Sequence, residues 1–176
     1  ALGNSNVAAV VGHDFGSLVA AWCALLRPDV FRACVMMSAP FGGPPALSQP
    51  LQSPAGGVDH AALAALPRPR KHYQAYYGTR PANADMHACL QGAHAFLRAY
   101  YHVKSADWQA NQPHVLVSYA AEELAKMPTY YIMDADQNMA QTVAPEMPSA
   151  AYIATCPWLT ESELAVYAAE YQQSGF

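Results

Sequence analysis

The five residues Gly12-His13-Asp14-Phe15-Gly16 constrain the chain more than any other feature. They stand between an apolar run at 7–11 and a stretch at 17–26 in which Leu18, Ala21, Trp22 and Leu25 recur at helical spacing. The run at 7–11 ends at Gly12 and reads as a buried parallel strand. Pro28 stops the helix, and a second apolar run at 33–37 is closed by Pro40. Strand, tight turn, helix, strand is a βαβ unit, which places the first segment in a parallel sheet. One such unit does not make a stable sheet alone.

Small residues on both sides of the turn let the chain reverse sharply while the middle side chain projects from it. This is the geometry of a nucleophile elbow, with Asp where the usual motif has Ser. The local pattern admits two roles for Asp14: a nucleophile, or an N-cap of the following helix. A carboxylate with an ordinary pKa of about 3.9 is ionised at neutral pH without help from a base. It can attack a saturated carbon directly and form an alkyl ester. Hydrolysis of that ester calls for a water activated by a His that an acid orients. The oxyanion of that second step would be met by backbone N–H groups, that of Phe15 among them. His13 reads as a packing residue of the elbow, because its side chain projects opposite to its neighbour's.

Composition narrows the field. Of 176 residues, 53% are hydrophobic and 12% charged, which excludes a disordered tail. Nine Lys plus Arg against thirteen Asp plus Glu leave a formal charge of −4. The densest basic stretch is PRPRK at 67–71, too short for a general nucleic-acid surface, so no nucleic-acid partner is expected. No apolar run is long enough to span a membrane. The first residues lack the order of a signal peptide, and Cys23, Cys34, Cys89 and Cys156 form no CxxC pair. Reduced thiols in an intracellular, cytoplasmic protein are expected. The seven His residues show no HExxH or comparable spacing, so no metal site is expected.

The texture changes near residue 42. Residues 1–41 read as part of an α/β core, 42–71 as a connecting segment rich in GGPPALSQP and QSPAGG, and 72–176 as mainly helical. Asn83 is expected to cap a helix with Met86, Leu90, Ala93, Leu97 and Tyr100 or Tyr101 on one face. A short helix at 122–127 ends at Pro128. Thr160 and Glu163 make a capping box for a last helix with Leu164, Tyr167, Ala168 and Tyr171 on one side, and Gly175 stands at its C-terminal cap. Trp158 is expected to pack beneath that helix.

The segment VVGHDFGSLVAAWCALLRPDVFRACVMMSAPF resembles the nucleophile region of α/β-hydrolases of the epoxide hydrolase and haloalkane dehalogenase group. KHYQAYYGTRPANADM resembles the start of the helical cap of epoxide hydrolases, and CPWLTESELAVYAAEYQQSGF resembles its end. Three blocks in the right order, covering essentially the whole chain, imply a partial α/β-hydrolase sheet with a nucleophile elbow, followed by a mainly helical cap (lid) domain at 72–176. The resemblance implies Asp14 as nucleophile and the Phe15 N–H as part of the oxyanion hole, with Phe15 also walling the pocket. It implies Tyr73, of the Tyr73-Gln74 pair, as donor to the epoxide oxygen, with Gln74 beside the substrate.

Tyr76 or Tyr77 are alternatives for the inward-facing phenol, and Tyr100, Tyr101 and the Met residues read as cap core. In dehalogenases the residue after the nucleophile is typically a Trp whose indole cradles the halide, and Phe15 offers no such donor. The activity that the resemblance implies for the full-length parent is therefore ring opening of a small lipophilic epoxide, with water, to a vicinal diol, without metal or organic cofactor. The alternatives are a dehalogenase-type hydrolase and a non-catalytic binding protein on a hydrolase scaffold. Similar enzymes also carry an upstream H-G-x-P-type turn, and, after the Ser-Gly-Phe ending, a second Tyr, an acid and a general-base His. None of these is found at 1–176, so the chain reads as an internal fragment, inactive in turnover alone and prone to aggregate through open sheet edges.

Overall fold

The computed structural model describes residues 5–44 and 57–176, and the chain forms two compact units, Ala1–Gln52 and Ser53–Phe176. In the first unit, strand β1 (Val10–His13), helix α1 (Phe15–Leu26) and strand β2 (Cys34–Met37) make the expected βαβ arrangement. The two strands pair in parallel, from Val10 opposite Cys34 to His13 opposite Met37. Val7 pairs separately with Phe31, so the ladder starts later than the apolar run does and reaches the elbow itself. Helix α1 lies close on the sheet through its small residues: Ser17, Ala20 and Ala21 are buried.

The expectation of fully buried strands does not hold for these elements. Val11, Val35, Met36 and Met37 are all about half exposed or more, as are Val19 and Leu26 of α1. A two-stranded sheet with one helix has only one covered face, while β-rich apolar runs of this kind suit a sheet covered on both. Trp22 finds a partner in Phe41, ring centroids 5.3 Å apart and edge to face.

The second unit is mainly helical, built on helices α2 (His60–Ala64), α3 (Tyr73–Tyr77), α4 (Arg80–His87), α5 (Gly92–Val103), α6 (Ala121–Leu124), α7 (Met139–Val143), α8 (Ala150–Thr155) and α9 (Glu161–Ser174). A short antiparallel pair, β3 (Arg70–His72) with β4 (Ile132–Asp134), ties its early and late parts together. Arg-Lys-His carries no alternation of apolar and polar residues, which is why β3 is silent in the sequence. It is held instead by charge: the Arg68 guanidinium grips Asp134 at 2.6 Å, and buried Arg70 donates to the Ile132 carbonyl. Helix α2 and the first two residues of β3 fall within 42–71, where composition indicated only a connection; residues 45–56 of that stretch lie outside the described residues.

One expected helix is two. Thr79, not Asn83, stands at the start of α4, and the turn to α5 passes through fully exposed Leu90 and through Gly92, whose φ of 76° suits glycine. Leu90 therefore shares no face with the core. Gln91 fixes the break by donating to the Ala140 carbonyl at 3.0 Å. The last helix forms as its signals indicate, with the Thr160–Glu163 capping box in place and Gly175 at φ 78° after Ser174. Trp158 does not pack beneath it: the ring is partly exposed, its N–H donates to Asp107 at 2.8 Å, and the neighbouring Leu159 is buried instead. Helix α5 packs against α9 and α7, around a core that includes Phe96, Leu97, Val103, Met139 and Leu164. Leu63, Leu124 and Ile132 form a smaller core beneath α2 and α6. Among the described residues no helix is long and apolar enough to cross a membrane.

Candidate active site

The turn from β1 to α1 has the conformation of an elbow. Asp14 sits at φ 54°, ψ −123°, a region that costs a side-chain-bearing residue roughly 1–3 kcal/mol. The strain is tolerated because neighbours hold the turn on both sides. The Asp14 N–H donates to the Met37 carbonyl at 3.0 Å, and the Asp14 carbonyl accepts from the Ser17 N–H at 2.9 Å. Gly12 is required by a close approach: a Cβ there would lie 1.8 Å from the Gly16 carbonyl oxygen. The same test at Gly16 meets nothing within 4 Å, so the two glycines of the motif do different work.

Although Asp14 precedes α1, its side chain makes no capping hydrogen bond. The carboxylate stands exposed at the turn rather than folded back on the helix. Phe15 follows as the first residue of α1, so its N–H has no carbonyl one turn earlier within the helix and belongs to the positive end of the helix dipole. Its ring is exposed in this unit. His13 is exposed too, in β1 opposite Met37, which corrects the expectation that it packs within the elbow.

Ser17 is the part of this site that periodicity missed. It is fully buried, with its hydroxyl oxygen 2.9 Å from the Gly12 carbonyl and 2.7 Å from the Met37 carbonyl, and it accepts from the Met37 N–H at 3.0 Å. One hydroxyl thus joins the ends of both strands to the first turn of α1, donating its proton to one carbonyl at a time. A Ser directly after the second glycine is the only signal the sequence carries of this role.

Tyr73 and Gln74 lie in the second unit, at the start of α3. The β3–β4 pair places them: the Tyr73 N–H donates to the Tyr131 carbonyl at 2.8 Å. His72 caps the helix, its ring Nδ1 accepting from the Gln74 N–H at 3.3 Å. That role needs a neutral ring, and burial, with His60 nearby, holds the His72 pKa below its ordinary value. The Tyr73 ring packs edge to face on Tyr77 and Tyr131, with centroids at 5.7 and 5.3 Å. The exposed Gln74 amide donates to the Tyr73 hydroxyl at 3.3 Å. Asp14 and Phe15 are thus consecutive at one elbow, and Tyr73 and Gln74 form a second hydrogen-bonded pair in the other unit.

The alternative phenols are engaged elsewhere. Tyr76 is buried, its hydroxyl donates to Asp85 at 3.1 Å, and burial above all pushes its pKa up to about 12. The Tyr77 hydroxyl donates to that of Tyr100 at 3.1 Å, and burial holds its pKa far above the ordinary range. Among the described residues no three or more His, Cys, Asp or Glu side chains gather in a metal-binding group.

A family model for the alpha/beta hydrolase fold matches residues 1–137 of this chain. No curated protein and no solved structure matches it.

Proposed function

The chain belongs to the alpha/beta hydrolase fold family, and from hydrolase chemistry in general we propose a specific reaction, the opening of a lipophilic epoxide to a vicinal diol. The observation that carries the reading is the conformation of Asp14: a carboxylate at a strained elbow that does no capping. A cap residue would adopt ordinary extended backbone and bond the helix N–H groups. A nucleophile needs the projection that the strain provides.

In the first step an Asp14 carboxylate oxygen attacks a ring carbon. The carbon–oxygen bond of the epoxide breaks, its electron pair goes to the ring oxygen, and that oxygen takes a proton from the Tyr73 phenol. Gln74 supports this step by donating into the same hydroxyl, which strengthens the phenol as a donor. In the second step water adds to the ester carbonyl as one of its protons returns to the Tyr73 phenolate, and the Phe15 N–H faces the resulting oxyanion. Collapse releases the diol and restores the Asp14 carboxylate. The helical second unit, in this reading, is the cap that carries Tyr73 and walls the substrate.

Reaction in heavy-oxygen water tests the scheme. Turnover through an Asp14 ester places solvent oxygen in the Asp14 carboxylate, whereas direct attack of water on the epoxide leaves that carboxylate unlabelled. Label in the diol during a single turnover, with none in Asp14, would sink the proposal.

A further inference from the structure

Within the second unit lies a cavity of about 350 Å³, walled by Met86, Phe96, Leu97, Tyr101 and the pair Tyr77 and Tyr100. That volume falls within the range of small-molecule sites, where apolar walls carry a few placed polar groups. The polar groups here are largely committed. Thr79 donates to the Tyr76 carbonyl at 2.7 Å, the Asn83 side-chain oxygen accepts from the Phe176 N–H at 2.7 Å, and Tyr101 interacts with Tyr171.

Tyr77 and Tyr100 are different. Two phenols hold two protons, and the bond from Tyr77 to Tyr100 uses one of them. Among the described residues no acceptor receives the other. A hydroxyl that no protein acceptor engages, on the wall of a mainly apolar cavity, can donate to a ligand oxygen. The Lys104 ammonium, 4.9 Å from the Tyr100 ring centroid, further favours the phenol as a donor.

We propose that the Tyr77–Tyr100 hydroxyl pair recognises an acceptor oxygen on a lipophilic ligand held in this cavity. Resting on the epoxide reading, the inference adds a substrate class: epoxides that carry a carbonyl, ether or hydroxyl oxygen apart from the ring. The Tyr77 ring touches that of Tyr73, so this recognition point adjoins the proposed proton donor.

Acetophenone and α-methylstyrene test it, since they share size and shape and differ in presenting an oxygen or a methylene. Both are titrated by ligand-observed NMR onto the protein as isolated and onto the Tyr77→Phe/Tyr100→Phe variant. The variant is expected to bind acetophenone about fivefold more weakly and α-methylstyrene as well as before or better. Ala82→Leu, which fills the cavity, should weaken both. Tyr100→Phe alone serves if the double variant melts early. An equal change for the two probes, failure of both to bind the wild type, or retention of both by Ala82→Leu would overturn the proposal. Neither probe contains an epoxide. Probe discrimination without an ester at Asp14 would therefore remove the epoxide reading alone, and an ester without discrimination would remove only this inference.

Discussion

The carbonyl oxygen of Gly16 occupies the place where a side chain on residue 12 would begin, 1.8 Å from an ideal Cβ. The obstacle is backbone in the first turn of α1, so relief requires the elbow itself to open. Gly12→Ala is therefore expected to cost at least about 2 kcal/mol, several degrees in Tm. It should abolish any reaction at Asp14 as well. Gly16→Ala, with nothing within 4 Å, should be far milder, and thermal melts of the two variants check the contrast.

Strain at Asp14 gives a second expectation. At φ 54°, ψ −123° a glycine escapes the penalty that an aspartate bears. Asp14→Gly should raise stability by about 1 kcal/mol after the glycine's larger unfolded-state entropy is subtracted, while removing the proposed nucleophile. Urea unfolding measures this. A destabilised variant would mean that the Asp14 side chain stabilises the fold, as a cap would.

Ser17→Ala removes the hydroxyl that joins Gly12 to Met37. The contact to Gly12 is buried and the two to Met37 are part-buried, and one carbonyl and one N–H lose their bond together. A loss of about 1–3 kcal/mol is expected. Ser17→Cys, of nearly the same shape but a weak donor, should recover little of it. Full recovery would show that volume rather than hydrogen bonding matters at this position.

Acid should loosen the start of α3. The folded-state pKa of His72 is depressed, by burial first and then by His60. A group depressed in this way contributes stability that is present above its unfolded pKa, about 6.5, and is lost as pH falls through the lower folded value. Protonation also removes the acceptor for the Gln74 N–H, and with it the cap beneath Tyr73. The protection of the Gln74 amide, measured relative to its intrinsic exchange rate at each pH, is expected to fall as pH drops below about 6.5, and His72→Asn, whose amide oxygen accepts at any of these pH values, should flatten the dependence.

What the sequence discloses and what it hides have separate physical causes. The βαβ order, the elbow and the capping box at Thr160 and Glu163 are local, written in adjacent residues, and they are all present. The β3–β4 pair was hidden because Arg68, Arg70 and Asp134 meet across more than sixty positions, and ion pairs leave no periodicity. The break at Leu90 was hidden for a related reason: apolar spacing runs on through it, and Gln91 is held by Ala140 of a distant helix. At the candidate site, the elbow formed by Asp14 and Phe15 is legible in the turn residues, whereas Ser17 and His72 act through long-range or capping bonds that residue type alone does not announce.

In the proposed reaction Asp14 bonds covalently to substrate. Acid-quenched reaction of the protein as isolated with styrene oxide, followed by peptide mass mapping, tests it most directly. One added epoxide mass is expected on the peptide containing Asp14, and none in Asp14→Asn. Diol formation by wild type with that peptide unmodified at every quench time, or by Asp14→Asn at the wild-type rate, would contradict it.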